Sequence, residues 1–161
     1  MKLLVRSEDL FRPDASPRAH WYSIPLPTTR MTKEMKKMEI KNCWIKLTKE
    51  GKRKENPLPK SLYILCENAA PVFITNKRSL PIAARFALRI FKEDEDDDDD
   101  DDNGGNYIPC DPSEMEIDLM PPAGNIDNVL KLQFLSGISN GGDPFPMHLV
   151  TFSFFIELKN E

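Results

Sequence analysis

From residue 39 onward, apolar and polar side chains alternate with period two in one short segment after another, the pattern of strands with one buried face. Ile40 through Thr48 alternates loosely, with Cys43, Ile45 and Leu47 opposite Trp44, Lys46 and Thr48. Leu62 to Glu67 and Val72 to Thr75 predict two further strands, and Asn76-Lys77-Arg78-Ser79 reads as a turn. Pro81 to Lys92 sets Ala84, Phe86, Leu88 and Ile90 on one face and Arg85, Ala87, Arg89 and Phe91 on the other. Helix competes there because Ala, Arg and Leu favour it, but the clean alternation decides for strand. Met115, Ile117 and Leu119 alternate with Glu116 and Asp118 up to Pro121-Pro122. Val129 to Leu135 sets Leu130, Leu132 and Phe134 against Lys131 and Gln133. After a turn at Ser139 to Pro144, His148 to Lys159 places Val150, Phe152, Phe154, Ile156 and Leu158 on one face.

The first part of the chain reads differently. Pro13, Pro17, Pro25 and Pro27 argue against a long helix, because proline fixes φ and removes a backbone donor. Residues 1–29 are therefore expected to form a proline-rich arm with a short strand near Trp21 to Ile24. Met31, Met35 and Met38 have the i, i+4, i+7 spacing of a helical face, so residues 30–38 read as a short amphipathic helix, a basic loop or a ligand-contacting segment. Lys49 to Lys60, with Gly51, Pro57 and Pro59, is a polar connection between strands. Seven or eight short strands without βαβ alternation or internal repeat predict an all-β fold, an immunoglobulin-like β-sandwich with Greek-key connections. The expected division is an arm at 1–29 and a sandwich domain at 30–161.

With 161 residues the chain has the size of one domain. Such a chain buries about two thirds of its unfolded surface and needs no metal or disulfide to hold a core. No apolar run approaches the roughly 18 to 20 residues of a membrane span. The start, Met1-Lys2-Leu3-Leu4-Val5-Arg6, is charged too early for a secretory signal. The expectation is an intracellular protein with no membrane partner. Cys43, Cys66 and Cys110 are too widely spaced for a zinc or redox motif and read as reduced cysteines, Cys66 within an apolar run.

Charge changes the picture most. The net charge of −4 hides a strong split. Residues 1–92 hold 20 Lys/Arg against 8 Asp/Glu, a net of +12, and residues 93–161 hold 2 against 18, a net of −16. Ten of those acids are consecutive, Glu93-Asp94-Glu95 and then seven aspartates. With Asn103-Gly104-Gly105-Asn106 they are expected to make a long solvated acidic loop over 93–106, where like charges repel and no apolar residue pins the chain. A calcium site needs ligands at fixed spacing and a turn glycine, which a homopolymer does not offer.

Catalytic patterns are missing. His20 and His148 lie in no recognisable nucleophile motif, and the chain has neither a P-loop nor a GxGxxG sequence. The expectation is a protein that is not an enzyme and uses no cofactor or metal. The basic content is more specific: Arg30 to Lys60 carries eleven Lys/Arg against four acids. Lysine and arginine neutralise phosphates and release counterions, so such a surface gives salt-sensitive affinity for nucleic acid. The Lys52-Arg53-Lys54 cluster and the Asn76-Lys77-Arg78 turn are the candidate phosphate contacts. Arg78 and Arg85 are candidates for base edges, since a guanidinium can read guanine bidentately.

Two stretches carry a family likeness. Asn76-Lys77-Arg78-Ser79-Leu80-Pro81-Ile82-Ala83, running into an alternating strand, resembles the basic turn and Leu-Pro-Ile-Ala entry of the Runt DNA-binding domain. Leu132-Gln133-Phe134 through Gly137, Ser139 and Gly142, before a closing aromatic-rich strand, resembles that domain's later strand, glycine-rich turn and final strand. Runt, STAT and Rel proteins share an immunoglobulin-like sandwich that grips DNA with loops at one end. The resemblance implies a DNA-binding domain of a nuclear transcription regulator, with Lys77, Arg78 and Ser139 at the DNA. That domain's basic tail after the last strand and any counterpart of the acidic run are both missing from the match. Two other readings stay open. One is a histone-chaperone or interaction module in which Asp96 to Asp102 binds basic proteins. The other is a jelly-roll structural or capsid subunit. A cytoplasmic location accompanies them as the alternative to the nucleus.

Overall fold

The computed structural model describes residues 2–10, 21–26, 36–68, 72–74, 78–89, 108–110, 116–118, 129–139 and 142–159. In chain order the strands are β1 (Lys2–Arg6), β2 (Trp21–Pro25), β3 (Lys37–Leu47), β4 (Ser61–Cys66), β5 (Val72–Ile74), β6 (Arg78–Leu80), β7 (Ile82–Ala87), β8 (Ile108–Pro109), β9 (Glu116–Asp118), β10 (Val129–Gly137), β11 (Asp143–Pro144) and β12 (Val150–Lys159). Among the described residues the one helical element is a 3-10 turn at Ser7–Asp9.

The strands build two antiparallel sheets. Sheet A runs β1-β12-β3-β8, and β9 also pairs with β3. Sheet B runs β11-β10-β4-β7, and β2 also pairs with β10. A separate hairpin joins β5 to β6. This corrects the reading of 76–79 as a turn: Arg78 and Ser79 are strand residues of β6, opposite Ile74 and Phe73, and Asn76 and Lys77 lie outside the described residues.

The inner faces of the two sheets share one core, which makes the fold a β-sandwich. Met38, Ile40, Ile45, Phe152, Phe154 and Ile156 of sheet A and Leu62, Ile64, Phe86 and Leu132 of sheet B are fully buried. Phe134 of β10 reaches across the sandwich, with ring centroids 5.0 Å from Phe152 and 6.1 Å from Phe154. Each such ring contributes about 1.5–3 kcal/mol through removal from water alone. β12 alternates without a break, with five buried positions each followed by a half-buried one. Its sequence predicts that pattern directly.

β3 departs from simple alternation. Met38 and Ile40 are buried on even numbers, Cys43 and Ile45 on odd numbers. The pairing to β12 skips a step between Ser153 and Phe155, so Asn42 and Cys43 together oppose Phe154. This is a β-bulge, and Asn42 takes φ +55° there. Asparagine tolerates the left-handed region better than other non-glycine residues. The bulge explains why the alternation read from the sequence was loose. It also corrects the reading of Met38 as part of a helical face: Met38 is a fully buried strand residue opposite Leu158. Met31 and Met35 lie outside the described residues.

Two other segments differ from expectation. Lys2–Arg6, read as part of an extended arm, is the outer strand of sheet A and pairs along its whole length with β12. In the segment read as one strand from Pro81 to Lys92, the described ladder to β4 runs from Ile82 to Ala87, the partner of Ser61 where β4 begins, and residues 90–92 lie outside the described residues. Beyond that point β4 offers no further partner, and the Leu88 N–H donates to the Lys60 carbonyl at 2.8 Å. Leu65, Ile82 and Leu135 form a second small cluster on the outer side of sheet B, packed by Tyr63, Leu80 and Ile138. Cys66 is a core residue as expected.

Candidate nucleic-acid interface

The connection between β3 and β4 crosses one end of the sandwich and is tied to the turn before β12. Thr48 donates its N–H to the Leu149 carbonyl at 3.0 Å and its hydroxyl to the His148 carbonyl at 2.8 Å. The same hydroxyl accepts the Gly51 N–H at 3.1 Å, and the Lys52 N–H returns to the Thr48 carbonyl at 3.0 Å. Gly51 is buried here, and any Cβ would run into the Leu149 carbonyl. Further along, the Asn56 amide donates to the Glu50 carbonyl at 2.8 Å. These bonds hold a polar connection in a defined turn without an apolar core of its own.

That turn presents Lys49, Lys52, Arg53 and Lys54 as exposed side chains, with Lys60 exposed at the start of β4. Arg53 reaches Glu55 at 3.9 Å, but both groups are more than half exposed, so the pair is weak. Register brings further elements to the same end. Ser61 opposes Ala87, which sets exposed Arg89 beside Lys60. Leu135 opposes Tyr63 and Gly137 opposes Asp143, so exposed Ser139 lies in the loop leaving this end. Arg6 lies opposite Ser153, and Lys46 opposite Thr151, close to the start of β12.

Of the residues singled out from the sequence, Lys52, Arg53, Lys54 and Ser139 thus share one end of the fold. Arg78 does not join them. It is in β6, in the hairpin that leaves sheet B after Cys66 and returns before Ile82, at the opposite end of the sandwich. Arg85 is exposed on the outer side of sheet B, its guanidinium 5.5 Å from the centre of the Tyr63 ring. Asn76 and Lys77 lie outside the described residues, as do His20, the acidic run from 93 to 102 and the glycines of 103–106. The run's flanks are described: chain direction leads out of the basic end after Arg89 and back in at Ile108, which pairs with Ile45.

Sequence reasoning missed the outer face of sheet A. Register rows across it read Arg6, Ser153, Trp44 and Pro109, then Leu4, Phe155 and Lys41, then Lys2, Glu157, Glu39 and Glu116, then Lys159, Lys37 and Asp118. The rings of Trp44 and Phe155 meet edge-on at 6.0 Å, and the Lys2 ammonium stands 5.5 Å from the centre of Phe155. Leu4 beside them is 46% exposed. Among the described residues, register places six cations on this face (Lys2, Arg6, Lys37, Lys41, Lys46, Lys159) against four carboxylates, Glu39, Glu157, Glu116 and Asp118. Lys41 contacts Glu157 at 2.9 Å and Glu39 at 3.3 Å. Its hydrogen bonds to those carboxylates raise its pKa, and the Lys41 bond lowers that of Glu157. The alternation of Trp44 and Phe155 with buried neighbours was the available signal, but it needed the β3–β12 register to become a surface.

The Cys43 and Cys110 thiols are hydrogen-bonded to each other. That bond and then burial push the Cys43 thiol well above its ordinary value. No group of three or more His, Cys, Asp or Glu among the described residues could hold a metal ion. No helix among them is long and apolar enough to cross a membrane. No protein-family model matches the chain, and no curated protein or solved structure shows significant similarity to it.

Proposed function

We propose that the chain is a DNA-binding module that holds the phosphate backbone at the basic end of its sandwich, in a regulator of transcription acting in the nucleus. The observation that carries this reading is the meeting of exposed Lys49, Lys52, Arg53, Lys54, Lys60 and Arg89 at one end, with Glu50 and Glu55 the nearby acids of the same turn. Cations held by a hydrogen-bonded turn offer fixed phosphate contacts, which position a duplex without reading its sequence. The acidic connection leaves and re-enters the fold at that same end. Its ten negative charges compete with DNA for the cations and oppose weak non-specific binding. Neither role asks for a nucleophile, metal or cofactor.

Fluorescence anisotropy on random-sequence duplex DNA, across a salt series, tests the proposal. Binding should weaken linearly in log–log form as salt rises, with a slope near −0.9 per phosphate contacted. Lys52→Ala/Arg53→Ala/Lys54→Ala should make that slope shallower by about 2 to 3 while the fold stays intact. An unchanged slope in the triple variant removes the turn from the interface. Absence of duplex binding by the wild-type chain and by a chain lacking residues 93–102 rejects the function itself.

A further inference from the structure

We propose that the outer face of sheet A binds single-stranded nucleic acid, with unpaired bases stacking on Trp44 and Phe155 and phosphates held by the lysines and arginine around them. The inference rests on the nucleic-acid reading above and names a second class of ligand for it.

Three features of this face point to that ligand. First, it is a strand surface carrying half-buried aromatic rings: Trp44 and Phe155 occupy adjacent register rows on neighbouring strands and touch at 6.0 Å, next to the exposed Leu4. Rings fixed on paired strands lose little freedom when a base stacks on them, and every base offers a π-face. Second, the rings stand inside a cationic field. Arg6 lies one strand further along the Trp44 row, Lys41 shares the Phe155 row, Lys46 is the next outward position after Trp44, and Lys2 stands over the Phe155 ring. Third, the carboxylates that register places on this face, Glu39, Glu157, Glu116 and Asp118, lie in the rows beyond Phe155, away from Trp44, where Lys41 contacts Glu39 and Glu157 and Lys159 contacts Glu39. By register Arg6 and Lys46 stand on the Trp44 side of the face, which leads to the basic end of the sandwich.

Charge also argues against the same face of a second copy as the occupant. Two faces with six cations against four carboxylates each would still meet with a net like sign, an unfavourable arrangement at an interface. A duplex keeps its bases stacked on one another and offers no free π-face to a flat sheet, so it would use the cations alone. A strand with unpaired bases uses both rings and cations.

The full chain carrying Trp21→Phe leaves Trp44 as its sole tryptophan. Titrated with oligo-dT, its emission should be quenched saturably, and quenching should weaken with salt; a hairpin duplex of equal charge should leave it largely unchanged. Trp44→Ala and Phe155→Ala should each weaken oligo-dT binding by at least about fivefold, the lower bound for losing one stacked base, and leave duplex affinity unaltered. Circular dichroism and a melting curve on each variant establish that the fold persists, and the quenching measurement stands without either alanine variant. Duplex binding with no oligo-dT quenching overturns this inference alone. Failure of both ligands overturns the proposed function together with it. A change of sedimentation coefficient in Trp44→Ala, with oligo-dT affinity retained, shows the face to be a self-association surface and also overturns it.

Discussion

Cys43 and Cys110 face each other across the pairing of β3 with β8, one register step beyond Trp44–Pro109, and the Cys110 N–H donates to the Cys43 carbonyl at 2.8 Å. One is buried and the other partly exposed. Directly opposed residues on paired strands lie within the Cα separation a disulfide accepts. Cys110 should react first with iodoacetamide at pH 8, and Cys43 only slowly, because burial and the bond to Cys110 hold its proton. Peptide mapping after timed alkylation reads the order; equal rates would contradict the geometry. The pH sign follows from the same shift. The folded-state pKa of Cys43 is raised, so its stabilising contribution is complete below the unfolded thiol value and is lost as pH rises above it. Cys43→Ser should flatten the fall in stability on the alkaline side.

Asn42 should be replaceable by glycine but not by valine. Its φ of +55° within the bulge costs a β-branched residue about 1–2 kcal/mol or more, while glycine meets no such penalty. Urea denaturation should show Asn42→Gly near wild type and Asn42→Val clearly lower. Equal midpoints would mean that β3 can lose the bulge.

Gly51→Ala should destabilise the protein by about 1–3 kcal/mol, since the added methyl overlaps the rigid Leu149 backbone. Gly137→Ala should cost less, because its Cβ meets the movable Asp143 carboxylate at 3.0 Å. Thermal melts compare the two. Gly51→Ala should also weaken duplex binding, because the turn that carries Lys52 to Lys54 must shift.

Phe152→Ala should cost about 3–5 kcal/mol. The Phe152 ring packs against Phe134, Phe145 and Phe154, and its N–H donates to the Ser7 hydroxyl at 2.9 Å. Ser7→Ala should cost about 1 kcal/mol by comparison, the usual value of one hydrogen bond. A smaller loss for Phe152→Ala than for Ser7→Ala, read from denaturant midpoints, would place the hub of the core elsewhere.

Deleting residues 93–102 should tighten duplex binding on the order of tenfold at low ionic strength, with the gain shrinking as salt screens the competition. Anisotropy titrations at two salt concentrations measure it. An unchanged affinity would mean that the acidic run does not meet the basic end.

Much of the fold is legible in the local pattern. β10 and β12 follow their alternation residue by residue, and Leu130, Leu132, Phe134, Phe152 and Phe154 are buried as that period requires. The turn chemistry of 49–60 likewise marks where β3 must end, whereas Asp143–Pro144, read as turn, pairs with β10 as β11. The candidate site was legible in part: Lys52, Arg53 and Lys54 are exposed on a turn, as a charged run between strands must be. Arg85 shows the limit, since its sequence context does not say that Tyr63 lies across from it.

Local periodicity and charge were within reach of the sequence alone, because a side chain's face depends on its immediate neighbours and because charges add whatever the fold. The sequence therefore determined the β class, most of the core and the division into a basic first part and an acidic second. Tertiary structure alone decided the pairings: Lys2–Arg6 beside β12, Cys43 across from Cys110, Trp44 beside Phe155, and Arg78 away from Lys52. Those depend on register between segments far apart in the chain. A single bulge such as that at Asn42 changes which residues share a face without leaving a clear mark in the local pattern.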